Sequence, residues 1–176
     1  KTRIALIPAY EPGSLLIDLL HKVESAGFTS LVVDDGSGPT YADVFEQASA
    51  MAEVITLPVN RGKGFALKTG MQHIQQHFGG DYVVVTVDAD GQHRVEDAIR
   101  ICEEAERLPD ALILGSRALR DNVPLRSQFD NTVTRTIFYL FTGVHIHDTQ
   151  TGLRAFDSSL IPALLKIEGN RYEYEM

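Results

Sequence analysis

YVVVTVDADGQH, residues 82–93, decides how the rest of the chain is read. Tyr82 to Val87 is an unbroken aromatic, apolar or β-branched run, which predicts a strand buried on both faces. The run stops at Asp88, Ala89 and Asp90, and Gly91 allows a turn. In an open α/β sheet, ligands bind just beyond the carboxyl ends of the strands. Two carboxylates at such an end, one residue apart, make a compact set of hard oxygen donors, and Gln92 and His93 add two more polar groups. Donors of this kind suit Mg²⁺ or Mn²⁺, completed by substrate phosphates. Taken alone, Asp-Ala-Asp-Gly fits an acidic turn closing a strand at least as well. The surrounding pattern has to decide.

Upstream, Arg3 to Ile7 is predicted as a short strand stopped by Pro8, with Tyr10, Glu11, Pro12 and Gly13 in a loop. Ser14 is predicted to cap a helix whose apolar face is Leu15, Leu16, Leu19, Leu20 and Val23. Gly27 is predicted to close it. Leu31 to Val33 is the next strand, followed by Asp34, Asp35, Gly36 and Ser37. Strand, helix and strand within about thirty residues form a βαβ unit, so the sheet is expected to be parallel there. A helix is predicted over 41–51, a strand over 54–57 ended by Pro58, and a helix from about Phe65 to His77.

Downstream, 95–108 reads as an amphipathic helix with Ile99, Cys102 and Ala105 inward, and 111–114 as a strand ended by Gly115, Ser116 and Arg117. The alternation then breaks. Leu125 to Thr142 reads as a helix, with Phe129, Val133, Ile137, Leu140 and Phe141 apolar. A strand over 151–156 and a short helix over 160–166 follow. Polar clusters thus follow four strands: Tyr10-Glu11, Asp34-Asp35, Asp88-Asp90 and Ser116-Arg117. In a parallel sheet they converge on one edge, which marks a site.

The 176 residues suffice for one domain with a sizeable core, and 44% hydrophobic with 23% charged residues means a globular chain. A net charge of −8 argues against a general nucleic-acid binder. Cys102 is the one cysteine, so no internal disulfide forms, and a reducing, cytoplasmic setting fits. No run reaches the ~18 apolar residues of a membrane span. The chain opens at Lys1 and ends in mid-pattern at Met176, as a piece of a longer protein would.

Asn60-Arg61-Gly62-Lys63-Gly64 precedes a helix, so its backbone donors and two cations suit an anion. It lacks the Gly-Lys-Ser/Thr ending of a Walker loop and the GxGxxG of dinucleotide folds. Asp34-Asp35-Gly36-Ser37 offers carboxylates to a base or ribose, or simply a strand-ending turn. His145, His147 and Asp148 have alternate spacing, but no Cys or third-ligand pattern supports zinc. There is no Gly-x-Ser-x-Gly elbow for a nucleophile.

The motifs come in a fixed order: IPAYE (7–11), VDDGS (33–37), NRGKG (60–64), DADGQH (88–93), GSR (115–117) and DTQTGLRAF (148–156). Together they resemble the inverting family 2 glycosyltransferases of the GT-A fold, and among them the dolichyl- or polyprenyl-phosphate sugar synthases. The ending RYEYE (171–175) is similar to an aromatic-Glu segment of that family, after which many bacterial relatives carry a small multi-pass membrane domain. The resemblance implies an α/β/α sandwich with a mostly parallel central sheet. Residues 1–176 would be a single catalytic domain, truncated at its C-terminus.

Carried over by position, Pro8, Tyr10, Glu11, Asp35, Ser37 and Lys63 would border the nucleotide, with Asp35 accepting from the base. Asp88, Asp90 and Gln92 would hold Mg²⁺ or Mn²⁺ and the diphosphate. Arg117 and Arg126 would bind the acceptor's phosphate. Many relatives have Asn between the Tyr and Glu of the first motif, and the motif is loose around Arg126. The implied partners are a UDP- or GDP-sugar donor and a polyprenyl-phosphate acceptor, at the cytoplasmic face of a membrane. Association would come from residues beyond Met176 or from the apolar Ile137 to Phe141 face. The remaining readings are a family 2 transferase with a hydroxyl acceptor and Asp148 as base, a sugar nucleotidyltransferase, and a non-catalytic nucleotide-sugar binding module.

Overall fold

A computed structural model of the chain describes residues 1–115, 136–139 and 152–167, the second segment by its backbone. The strands are β1 (Thr2–Ala9), β2 (Thr29–Asp34), β3 (Glu53–Thr56), β4 (Tyr82–Thr86), β5 (Ala111–Leu114), β6 (Thr136–Tyr139) and β7 (Arg154–Asp157). The helices are α1 (Leu15–Ser25), α2 (Ala42–Ser49), α3 (Lys63–His77), α4 (Val95–Arg107) and α5 (Ile161–Leu165). One sheet runs β3-β2-β1-β4-β7-β5-β6. β1 to β4 pair in parallel, as the βαβ pattern predicts. β7 is inserted antiparallel between β4 and β5, so β5 runs with the parallel set, and β6 pairs antiparallel on its far side.

The alternation of side chains across each strand supplies two cores. Ala5, Ile7, Val32, Val83 and Val85 face one side, under Leu16, Leu20 and Val23 of α1, Phe45 of α2, and Ile101 and Cys102 of α4. Ile4, Leu6, Leu31, Val33 and Val84 face the other, under Leu67, Met71 and Ile74 of α3 and Ile161 and Leu164 of α5. This is the expected α/β sandwich with its mostly parallel sheet. Burial pushes the Cys102 thiol up to about 12, which keeps it inert.

Several local expectations are corrected. β1 does not stop at Pro8 but runs to Ala9. The Leu6 carbonyl accepts from Val87 N–H on the β4 side. Alternate residues of a strand face the same neighbour, so the amide Pro8 lacks would face that side beyond the last β4 pair, Leu6 with Thr86. No ladder bond is lost there. Ser14 precedes α1 but makes no side-chain capping bond. Leu15 is 52% exposed, outside the apolar face. α1 does close as expected: Gly27 N–H donates to Glu24 C=O and Phe28 N–H to Val23 C=O, the paired bonds of a Schellman ending.

The helix predicted over 125–142 is contradicted at 136–139, which pair with β5 as a strand. Thr136, Ile137, Phe138 and Tyr139 are all strand-favouring residues, and a short apolar run does not by itself separate strand from helix. The rest of that expectation, with the apolar face it assigned to Ile137 to Phe141, lies outside the described side chains. α3 begins at Lys63 rather than Phe65, which moves Lys63 from the loop into the first turn.

Gly36 ties the β2 end to the loop after β3. Its φ is +75°, and a β-carbon there would lie 2.3 Å from the Val59 carbonyl carbon and 2.5 Å from Asn60 N. Gly36→Ala is expected to cost roughly 2–3 kcal/mol, combining left-handed strain with a backbone clash. Urea unfolding at neutral pH measures it.

Candidate functional site

The carboxyl ends of β1, β2 and β4 lie side by side in the sheet, and the loops after them are joined by polar contacts. At the β1 end, Tyr10 is 51% exposed, and Glu11 is the one described non-glycine residue at positive φ, +48°. Such a conformation is strained and persists where the surroundings hold it. Here the Glu11 N–H donates to Ser37 Oγ at 2.8 Å. Hydrogen bonding with Glu11, and its nearby charge, push the Tyr10 phenol up. Pro8, buried in β1, underlies this corner.

At the β2 end, Asp34 Oδ1 accepts from Ser37 N–H at 2.9 Å, which closes the turn. Asp35 is 3% exposed. Its two carboxylate oxygens accept from Arg61 N–H (2.8 Å) and Gly62 N–H (2.9 Å). The expected acceptor for a base is thus occupied by backbone donors and organises the loop that leads into α3. The Arg61 guanidinium lies 3.8 Å over the Phe65 ring, a cation–π contact that holds the same loop.

At the β4 end, Lys63 Nζ donates to Asp88 Oδ1 at 2.7 Å, and His93 Nε2 lies 3.5 Å from Oδ2. Burial pushes the Asp88 carboxyl up, but hydrogen bonds from His93 and Lys63 and their charges outweigh it, and it falls from the usual 3.8 to about 2. Asp90 Oδ1 accepts from Gln92 N–H at 2.9 Å, closing its own turn. Asp88 and Asp90 therefore behave differently: one carboxylate is held by a lysine from α3 and an imidazole from its own loop, the other caps a turn.

The model of the family described as glycosyl transferase family 2 matches residues 4–164. The chain belongs to glycosyl transferase family 2. It is 26% identical to the UDP-N-acetylglucosamine–dolichyl-phosphate N-acetylglucosaminyltransferase of Methanococcus voltae, over 96% of this chain and 74% of that protein. It is 32% identical to the undecaprenyl-phosphate 4-deoxy-4-formamido-L-arabinose transferase of Pseudomonas aeruginosa, over 91% of this chain and 48% of that one. The chain thus spans about half the length of the second relative.

Among solved structures, the fold is similar to S. aureus TarS, with a TM-score of 0.59 at 17% identity over 99% of this chain and 32% of that one. It is also similar to 4-diphosphocytidyl-2C-methyl-D-erythritol synthase, with a TM-score of 0.62 at 17% identity over 97% and 81%. As a family 2 transferase, the chain has the GT-A arrangement that the motif order implied.

Of the residues that the resemblance marked, Pro8, Tyr10, Glu11, Asp35, Ser37, Lys63, Asp88, Asp90 and Gln92 all lie on or just beyond this edge. Contacts link Glu11 with Ser37 and Lys63 with Asp88. Ser116, Arg117, Arg126, His145, His147, Asp148 and the 171–176 tail lie outside the described residues. Among the described residues, no three His, Cys, Asp or Glu side chains gather as a metal cage. Asp88 and Asp90 offer instead hard carboxylate oxygens, a donor type that suits a divalent cation held by one or two carboxylates.

The sequence pattern marks His93 only as a further polar group at the strand end, although it lies five positions after Asp88 across the Gly91 turn. Its partnership is set by that turn, in which Gly91 has φ +70°. A depressed carboxyl contributes stability above its unfolded value, and that contribution disappears as pH falls through the folded value. Native stability is therefore expected to drop between about pH 4 and pH 2 from Asp88 protonation. In Lys63→Met that drop is expected to flatten, so the gap between the two proteins narrows as pH falls. Urea midpoints taken across pH 2–5 measure this.

Proposed function

We propose that this domain transfers a sugar, with inversion, from a nucleotide-sugar donor to a polyprenyl phosphate. The observation that carries the reading is the clamped Asp88 at the β4 end. It sits beside Asp90 on the edge where the β1, β2 and β3 loops also end, in a chain that belongs to glycosyl transferase family 2. The names of its relatives support the acceptor class, since both act on a dolichyl or undecaprenyl phosphate.

In this reading residues 1–176 form one catalytic domain at the cytoplasmic face of a membrane. Among the described residues, no helix is long and apolar enough to cross one. Exposed Tyr10, the Glu11–Ser37 corner and the Asp35-anchored loop border the nucleotide. Asp88, Asp90 and Gln92 would hold Mg²⁺ or Mn²⁺ and the diphosphate, and the ion would supply Lewis-acid neutralisation of the leaving group. Lys63 gives up the Asp88 carboxylate and turns to a donor phosphate. α3 offers the same anion its N-terminal backbone donors. Arg117 and Arg126 hold the acceptor's phosphate as guanidinium forks. A phosphate monoester, with a second pKa of about 6, is anionic near neutral pH. It attacks the anomeric carbon from the face opposite the leaving diphosphate, and no strong general base is needed.

Asp90→Ala is expected to lower transfer by on the order of 10²-fold or more, and EDTA to abolish it, with Mn²⁺ restoring it. The assay follows a labelled sugar from UDP-, GDP- and dTDP-sugars into polyprenyl phosphate. Release of a nucleoside diphosphate supports the reading. Release of inorganic diphosphate makes it a nucleotidyltransferase. Transfer only to a hydroxyl acceptor, lost in Asp148→Asn, moves it to the glycan-acting members. Donor binding with no turnover leaves a binding module.

A further inference from the structure

The β4–β7 ladder pairs Val83 with Asp157, Val84 with Phe156, Val85 with Ala155 and Thr86 with Arg154. Each step along β4 is a step back along β7. Two residues beyond the last pair, the same register sets Asp88 opposite Gly152. Residues directly opposite in an antiparallel pair project to the same face. A β-carbon on Gly152 would lie 2.0 Å from Asp88 Oδ2 and 2.3 Å from both its Cγ and Oδ1. The Asp88 carboxylate fills the volume that any side chain at 152 would take.

The backbone there is tied from both sides. Thr86 Oγ1 donates to Gly152 C=O at 2.9 Å. On the other flank, Gly115 N–H donates to Leu153 C=O, also at 2.9 Å, and Leu153 is buried. Between a backbone held by two hydrogen bonds and a carboxylate at the end of a side chain, the carboxylate yields. Rotation of the side chain is the cheaper adjustment, and the Lys63 and His93 contacts are lost with it.

We propose that Gly152 is a positioning residue of the transferase. With the Thr86 hydroxyl on its carbonyl, it forms the wall that aims the Asp88 carboxylate at Lys63 and His93, on the edge where the donor is held. Specificity for glycine at 152 follows from the need for a carboxylate at 88, not from backbone conformation. The proposal rests on the reading of Asp88 as a holder of the donor diphosphate.

The test is a double-mutant cycle with Gly152→Ala, Asp88→Ala and both together. Donor binding is measured by calorimetry with UDP-, GDP- and dTDP-sugars in the presence of Mn²⁺, and unfolding midpoints are measured without ligand. Gly152→Ala alone is expected to lower kcat/KM by on the order of 10²-fold, to weaken donor binding and to lower the midpoint. In the Asp88→Ala background it is expected to do none of these, because the overlapping atoms are gone. Equal effects in both backgrounds, or no effect with Asp88 present, overturn the proposal. If Asp88→Ala binds and turns over donor normally, the functional reading of Asp88 fails by itself, while the midpoint cycle still decides the 88–152 contact. Should Gly152→Ala not fold, Thr86→Val replaces it. A loss of donor binding that needs Asp88 supports the proposal, and a loss independent of Asp88 overturns it.

Discussion

The Lys63–Asp88 ion pair joins the first turn of α3 to the end of β4, and the candidate site depends on it. Lys63 is a cation at the positive end of a helix dipole, an unfavourable place for it. The Asp88 carboxylate offsets that cost and is itself favoured there. In the folded chain this carboxylate therefore marks where an anion is stable: between an ammonium, an imidazole and a helix N-terminus. The diphosphate of the proposed donor would meet the same surroundings.

Around that pair, each strand end is fastened to the next. Ser37 receives the Glu11 amide, Asp35 receives the Arg61 and Gly62 amides, and the short loop that Asp35 orders delivers Lys63 to Asp88. The carboxylate of Asp35 is spent on loop geometry in this arrangement. In the proposed function, its influence on the nucleotide would run through the backbone of residues 61 and 62 as well as through any direct contact. A loop held by two charge-assisted bonds is pre-organised, so less ordering entropy is lost when a ligand binds.

The other half of the sheet departs from a doubly wound pattern. β7 enters antiparallel between β4 and β5, and Gly152 and Leu153 precede it. The β4–β7 register brings Gly152 against Asp88, and its hydrogen bond from Thr86 ties it to the strand that leads to the acids.

Much of this was legible in the residues. The apolar run 82–87 ending in two acids located the central strand and its acidic end. The βαβ spacing of the first 60 residues implied parallel pairing, and the order of six motifs identified the family. Periodicity records which side chains seek apolar surroundings, so cores and helix faces such as Cys102 and Ala105 could be read directly, with Ile99 only partly buried beside them. It does not record partners. That Asp35 binds amides 26 and 27 positions away, or that Lys63 and His93 share one carboxylate, depends on how loops from different strands meet. The same holds for β6, where Ile137 to Tyr139 suits either helix or strand until pairing with β5 settles it. Only the tertiary register sets a glycine of β7's approach opposite an acid of β4, because backbone hydrogen bonding between distant strands, not local pattern, fixes which residues face each other.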